Sequence, residues 1–147
     1  MGLGFQMIRR FVRDLFIAGG VLVLALIGGC VYFHSRSPQF SGASPEVVDL
    51  RISSSSSTAY QSRITNREAC DTLLREFRQA HGVFFRHRPS GEMTFSFANG
   101  KTDTVLVTFG LPQGYCYFYL HGTFQLDSER FYQTLKDAGV DVSKIYN

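Results

Sequence analysis

The sequence lacks an excess of charge of either sign over most of its length. From residue 34 onward it has 12 Lys/Arg and 11 Asp/Glu, and the bias before residue 15 is three arginines against one aspartate. A nucleic-acid-binding domain needs a concentrated basic surface. The net charge of +3 therefore does not indicate a nucleic-acid partner.

Sequence motifs of catalysis and metal binding are also missing. The chain carries no phosphate-binding loop, no Gly-x-Ser-x-Gly elbow and no pair of carboxylates in a catalytic context. The histidines at 81 and 87 do not have a standard metal-ligand spacing. The sequence indicates no cofactor and no metal, and it leaves one enzymatic alternative, an exported hydrolase that uses His81, His87 and His121.

Charge is absent from residues 15–33, which read LFIAGGVLVLALIGGCVYF. A helix of this length spans roughly 29 Å at about 1.5 Å per residue, close to the thickness of a hydrocarbon core. Three arginines lie in the preceding residues 1–14, whereas Arg36 and His34 follow closely. The positive-inside rule then predicts a cytoplasmic tail over 1–14, a single-pass helix in the cytoplasmic membrane and an exported C-terminal part.

Two alternatives to an uncleaved anchor stay open. One is a cleaved signal peptide, although the run lacks an A-x-A-like exit. The other is a bacterial lipoprotein, because Leu26–Cys30 (LIGGC) resembles a lipobox with Cys30 as the lipidated residue. The apolar run continues past Cys30, which favours the uncleaved helix. All three interpretations export the C-terminal part.

Residues 34–46 have the Ser, Pro and Gly composition of a linker, and 47–147 are long enough for one small domain. Its first strand is either 47–53 or 58–65, and the sequence does not distinguish between these two candidates. Thr65 and Glu68 have capping-box spacing before a helix that ends at Gly82. Ser128 is expected to cap a last helix that closes at Gly139.

Between the two helices the pattern predicts three strands, 91–98, 104–109 and 115–124. The resulting order is β-α-β-β-β-α. It corresponds to an α+β fold in which helices cover one face of an antiparallel sheet.

The lengths of the connections decide which side chains share a face of this sheet. The apolar sets of 93–97 and 105–109 share a face when the first loop has an odd number of residues, despite the Asn-Gly dipeptide at 99–100. The set Cys116, Phe118 and Leu120 joins them when the second loop is even. We therefore predict an odd loop near 99–103 and an even loop near 110–114.

This register leaves an outer face rich in tyrosine and threonine. Tyrosine is an amphipathic contact residue that is enriched at interfaces. The sequence predicts a binding surface on this face, with the solvated face of a sheet as the plainer alternative. The residues expected to form it are Tyr115, Tyr117, Tyr119, Thr108 and Leu106.

Two cysteines lie in the exported part. Cys70 falls on the apolar stripe of the first helix and Cys116 on the inner set of the last strand, so we expect them to form a disulfide outside the cytoplasm. Unpaired buried thiols are the alternative.

A basic segment follows the first helix. It forms either a solvated helix end or a surface that binds an anionic lipid headgroup, a cell-wall polymer or an acidic protein. The arginines concerned are Arg75, Arg78, Arg86 and Arg88.

Together these features predict a membrane-anchored extracytoplasmic binding module of the cell envelope, with an envelope protein or polymer as its partner. A structural subunit of a membrane complex is the other non-catalytic alternative.

Overall fold

The computed structural model describes residues 3–53, 60–84, 88–110 and 114–145. The chain divides into two compact units, Met1–Ser35 and Arg36–Asn147. The first contains one continuous helix, α1 (Leu3–Ser35). Within it, Val12–Tyr32 is the one stretch among the described residues that is long and apolar enough to cross a membrane. This stretch overlaps the predicted span 15–33.

The second unit is a seven-stranded antiparallel sheet with two helices, which confirms the α+β class. The elements are β1 (Pro45–Ile52), β2 (Tyr60–Ile64), α2 (Arg67–Gln79), β3 (His81–Gly82), β4 (Gly91–Phe97), β5 (Thr102–Thr108), β6 (Tyr115–Tyr119), β7 (Thr123–Asp127) and α3 (Ser128–Asp137). The strands follow the spatial order β2-β1-β4-β5-β6-β7-β3. A 3₁₀ turn (Val142–Lys144) follows α3.

The sheet has more strands than the sequence predicts. The two candidates for the first strand are both present, and they pair as the β1–β2 hairpin. The expected strand 115–124 is two strands, because the chain turns at Leu120–Gly122, where Leu120 N donates to Gly122 O at 2.9 Å. His121 adopts a positive φ of 53° in this turn. The alternation of apolar residues continues through Phe124 and therefore conceals the break.

The helix boundaries differ slightly from those expected. Asn66, not Thr65, caps α2, and its side chain accepts from Ala69 N at 3.2 Å. Asp127, not Ser128, caps α3 by accepting from Arg130 N at 3.2 Å. In both cases a side chain one position away has the better-placed oxygen.

The C-terminal ends of the two helices also differ from each other. Gly82 does not end α2, because the helix stops at Gln79 and Gly82 belongs to β3. Gly139 does end α3, with φ 82° and the paired bonds of a Schellman motif, Gly139 N to Lys136 O and Val140 N to Leu135 O.

Both predicted loop parities are confirmed. Phe97 N bonds to Lys101 O, so the β4–β5 turn has three residues, with Gly100 at φ 75°. Val107 lies opposite Phe118, which requires an even connection between β5 and β6. The residues 111–113 of that connection lie outside the described ranges.

The inner face of the sheet packs against α2 and α3 around Phe77. This side chain is fully buried, and its ring centroid lies 4.6 Å from that of Phe118 and 5.2 Å from that of Phe95. Phe131 of α3 is 5.6 Å away in an edge-on arrangement. A cluster of aromatic rings thus joins both helices to the centre of the sheet.

The segment 36–44 belongs to the second unit, although its composition predicts a linker. Phe40 packs edge-on against Phe95 at 5.3 Å and against Phe77 at 6.3 Å. Ser41 donates to both carboxylate oxygens of Asp103, from N at 2.5 Å and from Oγ at 2.7 Å. We call this segment the strap. A polar composition is typical of a solvent-exposed linker, but polar residues can equally well form hydrogen bonds to the domain, as they do here.

The strap is also held from α2. The Arg78 guanidinium donates to Gly42 O at 2.6 Å and to Ala43 O at 3.2 Å. Ser44 Oγ donates to a carboxylate oxygen of Asp71. The chain is therefore fixed to the domain before β1 begins.

Candidate functional site

The outer face of the sheet, opposite the helices, divides into two halves of different chemistry. The strands β2, β1 and β4 carry charged side chains, and β5 and β6 carry tyrosine, threonine and leucine. We call the second group the tyrosine patch. It consists of Leu106, Thr108, Tyr115, Tyr117 and Tyr119.

The register of β5 and β6 assembles this patch. Leu106 lies directly opposite Tyr119, and Thr108 lies opposite Tyr117. The rings of Tyr115 and Tyr117 are 6.5 Å apart. Tyr115 is 59% exposed, Tyr119 44% and Leu106 37%, so apolar and hydroxyl surface is presented together. The structure thus brings all five predicted residues onto one face, where their binding role stays a prediction.

The patch extends further than the sequence indicates, because β7 and β3 continue the same face. Gln125 pairs with Tyr117 on one side and with His81 on the other. Thr123 likewise pairs with Tyr119. These residues were not expected here because 115–124 was interpreted as one strand. The signals for a second strand were Gly122 and the buried pair Phe124 and Leu126.

The connection from β3 to β4 borders the patch. It leaves β3 where Val83 N donates to Thr123 O at 2.9 Å, and it returns where Arg88 O accepts from Thr108 Oγ1 at 3.0 Å. Pro89 and the patch enclose a cavity of about 20 Å³. That volume holds about one water, far below the roughly 300 Å³ of pockets for organic ligands.

The charged half of the outer face is internally paired. Arg63 Nε lies 2.9 Å from Asp49 Oδ1, and Arg51 Nη1 lies 3.4 Å from Glu92 Oε1. Thr94 and Thr104 share a hydrogen bond of 3.0 Å beside them. Exposed pairs of this kind contribute little to stability. They do give this half a balanced charge, in contrast to the uncharged tyrosine patch.

A wider depression of about 650 Å³ lies between the strap and the β4–β5 turn. Its lining includes two charged side chains, Glu46 and Arg67, among small, apolar and amide residues. Within the described residues, this lining shows no arrangement of paired catalytic groups.

The three arginines of the predicted basic patch that the structure describes do not lie on one surface. Arg75 lies on α2 and donates to Thr72 Oγ1 at 3.4 Å, whereas Arg78 is occupied by the strap carbonyls. Arg88 lies beside Thr108, on the opposite face of the sheet. Arg86 lies outside the described residues. The arginines are close in sequence, but the chain passes from the helical layer to the outer face between Arg78 and Arg88.

The predicted disulfide between Cys70 and Cys116 is wrong, since both are free thiols. Cys70 Sγ bonds to Ile64 O at 3.4 Å, at the β2 edge of the helical layer. Cys116 lies on β6 beside Tyr132 of α3. Burial is the main cause that raises the pKa of each thiol. Both residues do face the helices, as predicted, but at different places along the sheet. Cys30 of α1 is also a free thiol, and its lipidation stays a prediction.

The histidines of the alternative hydrolase do not converge in the part of the chain that the structure describes. His81 is exposed on β3, and His121 is exposed in the β6–β7 turn. His87 lies outside the described residues. Over 3–53, 60–84, 88–110 and 114–145 no three His, Cys, Asp or Glu side chains are grouped to hold a metal ion.

The chain matches no protein-family model, no curated protein and no solved structure. The candidate site is therefore assigned on geometry and chemistry alone.

Proposed function

We propose that this chain is a single-pass, membrane-anchored interaction module of the cell envelope, whose tyrosine patch binds an envelope protein. The supporting observation is the assembly of Leu106, Thr108, Tyr115, Tyr117 and Tyr119 on one face, where the described residues enclose a cavity of only about 20 Å³.

The membrane part of the proposal rests on α1. Val12–Tyr32 is a 21-residue span of mean hydropathy 2.4, with its two charged residues, Arg13 and Asp14, at its start, and its length matches that needed to cross a hydrocarbon core. The arginines at positions 9, 10 and 13 favour a cytoplasmic N-terminus, so the sheet would lie outside the cytoplasmic membrane.

The chemistry of the patch favours a protein partner. Tyrosine offers a large contact area with few rotamers to immobilise, and its hydroxyl bonds at the rim of an interface. The patch carries no charge of its own, so it does not select a polyanion. An extended surface of this kind fits another folded surface better than a small molecule.

Photo-cross-linking in membranes tests this function. A benzoyl-phenylalanine at Tyr119, in the middle of the patch, should capture a specific envelope protein. The same group at Gln61, on the exposed edge strand of the charged half, is the matched control and should not capture it. The double variant Tyr117→Ser and Tyr119→Ser should lose that partner in pull-downs while keeping its far-ultraviolet circular dichroism. Equal capture at both positions, or an unchanged partner after the double substitution, contradicts the proposal.

A further inference from the structure

Phe84 follows β3 and presents a large aromatic side chain to solvent. It is 77% exposed, more than any other large apolar residue that the structure describes in the second unit. Single exposed apolar residues are common on proteins and need no explanation by themselves. The contacts of the segment that carries Phe84 give it significance.

The chain connects the membrane span to this region in a few residues. Arg36 is the fourth residue after Tyr32, the end of the apolar span, and four residues reach at most about 14 Å. A methyl group on Gly122 would lie 3.9 Å from Arg36 Nη1, so Arg36 lies against the β6–β7 turn. The strap residues Ser37, Pro38 and Gln39 line a groove with the same turn.

Phe84 follows a residue that is hydrogen-bonded to the end of that turn. Thr123, the residue after Gly122, accepts a hydrogen bond of 2.9 Å from Val83 N, and Phe84 is the next residue. The covalent path thus limits how far Arg36 can lie from the end of the apolar span, and contacts within the second unit link Arg36 to the segment that carries Phe84.

We propose that Phe84 inserts into the headgroup region of the bilayer and that this end of the domain rests on the lipid surface. The interfacial layer on each side of the hydrocarbon core is roughly 5–8 Å thick, enough to take a phenyl ring. Phenylalanine is one of the apolar residues that interfacial segments bury there, flanked by cations. Arg36, which lies against the β6–β7 turn, is exposed and supplies a cation for lipid phosphates.

This inference rests on the membrane anchoring in the proposed function. Its consequence is that the end of the domain that carries Phe84 stays at the lipid surface, within reach of partners that are themselves at the membrane. The alternative is that Phe84 contacts a partner protein, and the test distinguishes a lipid contact from a protein contact.

The chain contains no tryptophan, so a single introduced indole reports on one position. The full chain with Phe84→Trp is reconstituted into vesicles of phosphatidylcholine and phosphatidylglycerol, with and without brominated acyl chains. The matched control is Tyr115→Trp, which is 59% exposed at the opposite end of β6 from the β6–β7 turn. We expect a blue-shifted emission and strong loss of intensity with brominated lipid for the first variant, and neither effect for the second.

Flotation of the vesicles measures separately whether the chain is anchored in the membrane. A chain that does not float with the vesicles overturns the proposed anchoring and this inference with it. If the chain floats while the Phe84→Trp and Tyr115→Trp variants are quenched equally, or while neither is quenched, this inference alone is overturned. Protection of position 84 that requires added envelope protein assigns the site to a protein partner and also refutes the lipid contact.

Discussion

The ion pair between α2 and α3 offers a quantitative test of how the helical layer is held. Glu76 of α2 is only 6% exposed, and its Oε1 lies 2.6 Å from Nε of Arg130, whose side chain is 55% exposed. The two groups form a close ion pair without an aligned hydrogen bond to Oε1. Removal of Arg130 would leave a buried carboxylate without its countercharge.

The expected magnitude follows from the unequal exposure of the two partners. Breaking a fully buried pair costs about 3–5 kcal/mol, and breaking an exposed pair costs up to about 1 kcal/mol. Because Arg130 is half in solvent, which screens the interaction, we expect Arg130→Met to lower the free energy of unfolding by about 2 kcal/mol. The double variant Glu76→Gln and Arg130→Met removes the buried charge as well. We expect it to recover part of the loss, about 1 kcal/mol.

Urea unfolding of the full chain in mild detergent, followed by tyrosine circular dichroism, measures these differences. Arg75→Met is the matched control, since Arg75 is an exposed arginine of α2 that bonds only locally to Thr72. It should change stability by less than about 0.5 kcal/mol. The reasoning is refuted if Arg130→Met behaves like this control, or if the double variant is less stable than Arg130→Met alone.

Two further predictions concern a turn and the thiols. Gly139→Ala should lower the free energy of unfolding by about 1–2 kcal/mol in the same assay, because alanine disfavours a positive φ. Gly139→Asn should lower it by less, since asparagine tolerates this conformation better. Equal losses for the two variants would contradict a backbone origin. Burial raises the pKa of the Cys70 and Cys116 thiols above the ordinary value of 9.0, so the folded chain keeps protons that the unfolded chain releases. Stability should therefore fall as pH rises above about 9, by up to about 1.4 kcal/mol per pH unit for each thiol, and a Cys70→Ala and Cys116→Ala variant should fall less steeply. Identical slopes would show that other groups cause the alkaline loss.

The sequence predicts the layers of this fold better than its connections. Period-two alternation and loop parity were enough to place Phe97, Val107 and Phe118 on one inner face, because each is set by local geometry. The β6–β7 turn was missed because Phe124 keeps the parity of a continuous strand. Register between distant elements was also inaccessible, so the disulfide expected from two inward-facing cysteines did not occur.

The candidate site was predictable to the same extent. The side on which Tyr115, Tyr117 and Tyr119 lie follows from alternation, and the structure agrees. Their neighbours Gln125 and His81 depend on pairing between strands that are far apart in sequence. The division of the basic segment between two faces depends on where the chain crosses the edge of the sheet, which no local pattern specifies.

The strap has a mechanical consequence for a domain attached to a membrane. Any tension between α1 and the sheet acts first on Phe40, Ser41 and the carbonyls held by Arg78, and only then on β1, which lies between two strands. A pull strong enough to peel the strap lengthens the tether by about nine residues, up to roughly 30 Å, with the sheet still paired. The domain would then absorb movement of a bound partner by extension before it unfolds.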